Sequence, residues 1–347
     1  MASVDKTVAP KRASNFLYVK PAKKRATQYE EITLHTQWDP KNFAAQGWFN
    51  LDKNGRPIWN EDSTLVRVTD WWEYRDPTAE WFRPFVKRQA DTGRAIEQAI
   101  AGAKRASMFA DFDSGWSAFL TSHFAAFRYA DYGLFLVLCQ AQREAGSDVV
   151  AQPIVFQSIE KDRHAQDITL YCMELEQQIP GFSDRDCKQV WLQAPEWQPL
   201  RKLVEKLLAT RDWAEINLVV NLLLDPIVTA LFLRELMLRS APLNGDAVTP
   251  VIIEGSESDR HIRRASTEAF VTLLLQQNGD NKAIVEKWLA QWQPLVMAAA
   301  VAFKPLFAGT YRCAQSFEVA LDRVLTDQRA LLQKLGLGCT ATEECFA

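Results

Sequence analysis

The sequence predicts a mainly α protein, a duplicated four-helix bundle preceded by an extended N-terminal arm. Three observations carry that reading. From about residue 85 onward, apolar residues recur at three- and four-residue spacing, the period of one helix face. Two segments, beginning at Pro153 and at Pro250, share Pro, Glu, Asp, Arg and His at matching positions. Residues 1–85, by contrast, hold six of the fifteen prolines and six of the twelve tryptophans and lack any long helical period.

The arm is broken by Pro10, Pro21, Pro40, Pro57, Pro77 and Pro84, and by turn signals such as Asp52-Lys53-Asn54-Gly55 and Asp76-Pro77. Trp38, Trp48, Trp59, Trp71, Trp72 and Trp81 crowd into 44 residues. Rings of that size need a surface to bury against. The chain's own helical body is one such surface. A partner subunit is the other, because a loop-like segment this long is unusual inside a compact domain. These six tryptophans are the candidate interface residues. The first 25 residues carry seven Lys or Arg against one Asp without an apolar stretch, so they read as a basic tail and not as a secretory signal.

Helices are expected over 85–108 and 116–144, bounded by Asp111, Asp113 and Gly115 on one side and Gly146-Ser147 on the other. The next runs from Pro153 through Phe156, His164 and Leu175 to a stop at Pro180-Gly181. Residues 200–208 are amphipathic. Residues 213–238 are apolar nearly all round and should be central. That stretch contains Asn217, Asn221, Asp225 and Pro226, which make a membrane span costly, so a buried helix and no membrane are expected. The domains are then an arm (1–85), a helical bundle (86–310) and a C-terminal helix and tail (311–347), with Cys339 and Cys345 near the end.

The repeat is the chemically informative feature. Pro153-Ile154-Val155 leads to Glu160-Lys161-Asp162-Arg163-His164, and Pro250-Val251-Ile252 leads to Glu257-Ser258-Asp259-Arg260-His261. Trp197-Gln198-Pro199-Leu200 and Trp292-Gln293-Pro294-Leu295 match beyond them. A long apolar helix with one carboxylate, Asp131 or Asp225, precedes each copy. Two such helix pairs make a four-helix bundle with pseudo-twofold symmetry.

In a bundle that binds two irons, two helices each offer a Glu and, three residues on, a His, and the other two offer one more Glu each. Here the residue three before each His is Lys161 or Ser258. A lysine ammonium cannot ligate at neutral pH, and serine is a poor ligand beside carboxylates. Asp131, Lys161, His164, Asp225, Ser258 and His261 are therefore degenerate ligand positions. No metal, cofactor-binding or catalytic residue is expected in this chain. Asp162, Arg163, Asp259 and Arg260 are expected in polar networks, and both histidines as satisfied core residues. An alternative ligand set, Asp131, Glu160, His164, Asp225, Glu257 and His261, would make the chain a self-sufficient diiron oxidase or iron store. A helical adaptor with a purely structural repeat is the third reading.

The remaining composition excludes several classes. A net charge of −3 argues against a general nucleic-acid binder. Six cysteines without a C-x-x-C pair read as reduced thiols of a cytoplasmic protein. There is no G-x-S-x-G, P-loop, G-x-G-x-x-G or H-E-x-x-H. His35 and His123 are isolated and read as structural.

The duplicated, ligand-depleted helices resemble the β subunit of the hydroxylase in bacterial multicomponent monooxygenases, soluble diiron enzymes that oxidise methane, propane, alkenes, toluene and phenol. The resemblance covers residues 16–310. It rests on Ala26-Thr27-Gln28-Tyr29-Glu30-Glu31-Ile32-Thr33 with Gln37-Trp38-Asp39-Pro40, on Asp70-Trp71 with Arg75-Asp76-Pro77, and on Tyr132-Gly133-Leu134-Phe135. It continues in Glu196-Trp197-Gln198-Pro199, Asp212-Trp213-Ala214-Glu215 and Asp259-Arg260-His261. The family's catalytic α subunit carries two intact Glu-x-x-His copies, and their loss at Lys161 and Ser258 marks this chain as β. The resemblance implies a ferritin-like bundle and a two-fold hetero-oligomer with α and a small γ. It also implies a regulatory (coupling) protein and an NADH reductase carrying FAD and a 2Fe–2S cluster, with the diiron centre in α. The arm and residues 85–116 are most similar to the oxidisers of propane and other short alkanes or alkenes.

Overall fold

The computed structural model describes residues 21, 23–35 and 61–338. Trp38, Trp48, Trp59, Cys339 and Cys345 lie outside the described residues. The helices are α1 (Gln28–His35), α2 (Phe82–Arg105), α3 (Ser114–Phe119), α4 (Ala125–Glu144), α5 (Asp148–Gln178), α6 (Cys187–Gln193), α7 (Gln198–Ala209), α8 (Trp213–Val219), α9 (Thr249–Gln277), α10 (Asn281–Ala302) and α11 (Phe317–Lys334). Two π-wound stretches join elements into longer rods: Leu120–Phe124 links α3 to α4, and Val220–Leu238 continues α8. No strand occurs among the described residues.

The rods start where the sequence offers caps. Asp113 accepts from the amides of Gly115 and Trp116, and Asp212 from those of Ala214 and Glu215. Thr27 and Glu30 form a reciprocal capping box on α1. α5 begins five residues before Pro153, the residue expected to open it; Val149 and Val150 are buried and hold that first turn on the core. Pro226 has no N–H to give to a regular ladder, and it sits inside the π-wound stretch.

α4, α5, α9 and the 213–238 rod form the four-helix bundle, α4 against α5 and the rod against α9. The rod is the one helix among the described residues long and apolar enough to span a membrane, and 94% of its apolar window is buried in the protein. α2 lies across α5 and α9, α11 lies along the rod, and α7 with α10 lies against α4 and the rod. Asp246, fully buried, ties three elements together. It caps α9 through the amides of Val248 and Thr249 and accepts from Trp116 Nε1 and the Tyr171 hydroxyl, each at 3.0 Å.

Residues 61–81 are extended and turn-rich, and they are fastened to the end of the bundle. The Leu65 amide donates to Asp212, Arg67 exchanges backbone hydrogen bonds with the Asn281 side chain, and the Tyr74 hydroxyl donates to the Ser266 carbonyl. Val66 and Tyr74 belong to the same apolar core as Phe317 and Leu332 of α11.

Candidate functional site

Three rods meet at a polar layer inside the apolar bundle. On α5, Gln157, Lys161 and His164 share one face because three- and four-residue steps return to the same side. On the neighbouring rod, Asn217, Asn221, Asp225 and Thr229 follow at steps of four. Asp131 of α4 completes the layer. His164 Nδ1 lies 2.5 Å from Asp131 Oδ2. Lys161 Nζ lies 2.7 Å from Asp225 Oδ1 and 3.7 Å from Asp131 Oδ1. The Thr229 hydroxyl donates to Asp225 at 2.9 Å. Gln157 and Asn221 exchange two amide hydrogen bonds, of 2.9 and 3.0 Å. Asp131 is 1% exposed, and Lys161, His164 and Asp225 are each 5% exposed.

The electrostatics follow from that burial. Two carboxylates in a medium of low polarity repel each other and lose their hydration. One ammonium group, placed against both, offsets part of that charge, and His164 and Thr229 add hydrogen-bond partners. A metal ion would have to displace this cation to reach either carboxylate.

The second copy is built differently. Glu257 is ion-paired with Arg260, one turn on. Ser258 and His261 are exposed. The expectation of two core histidines is thus corrected. His164 is buried, with Nδ1 on Asp131 and a buried Nε2 that has no hydrogen-bond partner. His261 instead lies on the wall of an outer groove of about 140 Å³ with Asp225, Arg260 and Asp327. The physical reason is the stripe that α9 buries: Ile252, Asp259, Arg263, Ser266 and Phe270 face inward. The positions matching Gln157, Lys161 and His164, namely Glu254, Ser258 and His261, face outward.

The alternative six-residue ligand set does not assemble. Glu160, one residue before Lys161, points about 100° round the helix from it. It is bound to Arg88 Nη2 at 2.7 Å and lies 3.3 Å from Arg263 Nε. Glu257 is held by Arg260, and His261 points away. The residues present do not fit a two-iron site.

Part of the polar framework was not foreseen. Arg88 of α2 binds Glu80, Glu160 and Asp259 together, and Arg263 binds Glu80. Burial pushes the Glu160 carboxyl up, to about 8, against the pull of Arg263 and Arg88. Of the four residues expected in networks, Asp259 joins this one. Arg163 reaches the Gln89 carbonyl and Asp167, and Arg260 pairs with Glu257. Asp162 accepts from Gln166 of its own helix at the surface. The signal for the rest was Arg263, a charged residue in register with the apolar stripe of α9. His123 accepts from Trp197 Nε1 at 3.0 Å, and burial lowers its pKa.

Among the arm's tryptophans, Trp71 is turned to the chain's own body. It meets Trp213 edge-on at 5.2 Å and stacks on Phe270 at 6.3 Å. Gly146 gives it room: a Cβ there would come within 2.5 Å of the ring. Trp72 and Trp81 are half-buried.

Comparison with known proteins bears on this arrangement. The profile of the Methane/Phenol/Alkene Hydroxylase family matches residues 48–278. The chain is 32% identical over 330 residues to the propane 2-monooxygenase hydroxylase component small subunit of Rhodococcus jostii (strain RHA1), covering 94% of this chain and 90% of that one. It is 28% identical to the methane monooxygenase component A beta chain of Methylococcus capsulatus, over 84% of this chain and 78% of the relative. Its fold superposes on a chain of the xenon-pressurized phenol hydroxylase of Pseudomonas sp. OX1 with a TM-score of 0.79 at 19% identity, covering 99% and 100% of the two chains.

Proposed function

This chain belongs to the methane/phenol/alkene hydroxylase family, and from that premise we propose that it is the small, non-catalytic subunit of a hydrocarbon monooxygenase's hydroxylase component. The observation that carries the reading is Lys161, whose ammonium occupies the ligand layer between Asp131 and Asp225. A bundle of hydroxylase fold has here exchanged metal chemistry for an internal ion pair. What remains is a rigid helical body that scaffolds a catalytic partner.

The kinship with the propane 2-monooxygenase small subunits supports propane or another short alkane or alkene as the hydrocarbon. The reaction takes place in the large α subunit, which holds the diiron centre and activates O2. Electrons come from NADH through a reductase with FAD and 2Fe–2S, and a regulatory protein and a γ subunit complete a cytoplasmic, two-fold assembly. Trp38, Trp48, Trp59, Trp72 and Trp81 are the arm's candidates for contact with α. Trp71 instead joins the arm to its own bundle.

The test is co-expression with the large subunit, followed by metal analysis. The expected outcome is an assembly with about two irons per large subunit, as a two-iron bundle requires, and NADH-dependent oxidation of propane that needs both chains. Two irons bound by this chain alone, and lost on His164→Ala, would overturn the reading.

A further inference from the structure

Two guanidinium groups and three carboxylates share one cluster where the arm enters α2. Arg88 donates to both oxygens of Glu80, at 2.8 and 3.1 Å, and to Glu160 at 2.7 Å, and it reaches Asp259 as well. Arg263 donates to Glu80 and lies 3.3 Å from Glu160. Four elements thus meet: the arm through Glu80, α2 through Arg88, α5 through Glu160, and α9 through Asp259 and Arg263. Glu80, Glu160, Asp259 and Arg263 are buried. The nearest charged groups of α5 itself turn elsewhere. Lys161 and His164 face the polar layer, and Arg163 reaches Gln89 and Asp167.

With every carboxyl ionised, the cluster would set three negative charges against two positive ones. An unmatched charge held out of water is costly, so such a cluster keeps a proton. Glu160 is the member that keeps it, since burial raises its carboxyl to about 8. The three carboxylates are not equally fixed. Glu160 and Asp259 stand on the long helices α5 and α9, whereas Glu80 belongs to the turn-rich segment 61–81. When the negative charges crowd, Glu80 is the one free to leave.

We infer that segment 61–81 is a strap fastened to the bundle by this cluster, held closed while the cluster keeps its shared proton and loosened when the proton is lost. A closed strap binds that proton more tightly than an open one, whose carboxyls meet water, so rising pH favours opening. The hold is complete at low pH and is lost as pH rises through 8. Trp72 and Trp81 ride on the strap, so the same proton sets how firmly two of the candidate interface residues are held.

Hydrogen exchange of the full-length chain tests this at the amides of Leu65 and Arg67, which donate to Asp212 and Asn281 of the bundle. Their protection factors, referred to the intrinsic rate at each pH, are expected to fall at least tenfold between pH 6 and 8, because releasing one proton makes opening about tenfold easier per pH unit. At pH 8 they should lie at least tenfold below those of the 213–238 rod, the mark of a local opening. In Glu160→Gln the fall with pH should vanish. In Glu80→Gln the strap should already be as loose at pH 6 as the parent's is at pH 8. Protection in the parent that does not change with pH, a full fall retained in Glu160→Gln, or a strap in Glu80→Gln as protected as the parent's at pH 6 overturns the proposal. Strap and rod amides equally protected at pH 8 overturn it too, since the segment would then open only when the whole chain unfolds.

Discussion

The two helix pairs descend from one signature but have come to opposite solutions. In the first, the polar layer is closed over: Lys161 lies against both Asp131 and Asp225, His164 is held by Asp131, and all are buried. In the second, the corresponding stripe has turned outward, leaving Ser258 and His261 in solvent and Arg260 folded onto Glu257. The lysine of the first pair also serves the second, since its shorter contact is with Asp225 of the neighbouring rod. One side chain in one half therefore offsets part of the carboxylate charge that both halves bring to the layer. The other half is free to drift.

The largest test of this difference is Lys161→Met, which keeps the volume and removes the charge. It strands two carboxylates, and breaking a buried pair costs about 3–5 kcal/mol. Denaturant unfolding should show that loss; a change under 1 kcal/mol would mean the ammonium is not what holds the layer. Next is Asp131→Ala, which leaves both nitrogens of His164 without a hydrogen-bond partner and should cost about 1–3 kcal/mol. Both variants act on the first pair, where the layer is buried.

Much of this was legible in residues. The periodicity from Phe85 on and the offset copies of Pro, Glu, Asp, Arg and His specify the rods and their duplication, because helix faces repeat on a fixed step. Lys161 and Ser258, three residues before each His, already tell against a Glu-x-x-His iron pair. The orientation of α9 was not legible. Its signature copy reads like the first, and the stripe it buries is decided by Asp259 and Arg263 meeting Arg88, Gln89 and Glu80 from far away in the chain. Tertiary pairing of charges outweighs the local pattern there. The same holds for Trp71, whose ring could have served a partner until Gly146, Trp213 and Phe270 gave it a place.

The network that turns α9 makes a third prediction, in pH. Burial raises the Glu160 carboxyl from its ordinary 4.5 to about 8, so the folded chain keeps a proton that the unfolded chain has released. That contribution is fully present below about pH 4.5 and is lost as pH rises through 8. The Tm is expected to fall by a few degrees between pH 5 and 8, since 1 kcal/mol moves a chain of this size by roughly 1–2 °C. In Glu160→Gln, which is neutral throughout, this share of the slope should vanish. An unchanged slope would assign the proton elsewhere.

The smallest effects should come from the second pair, and they are the sharpest check on the asymmetry. Ser258→Lys copies the first pair's solution onto α9, and His261→Ala removes the histidine altogether. If the second stripe is the exposed one, a lysine at 258 has no buried carboxylate to neutralise, and an alanine at 261 strands none. Surface changes of this kind stay within about 0.5 kcal/mol. Urea unfolding of both variants is expected to overlay the parent curve, with the slope on denaturant unchanged because the surface exposed on unfolding is the same. A loss above 1 kcal/mol from His261→Ala would place that ring in the bundle's interior and make the two halves equivalent. Equal curves here beside a large loss at Lys161 would locate the stabilising polar layer in the first pair alone.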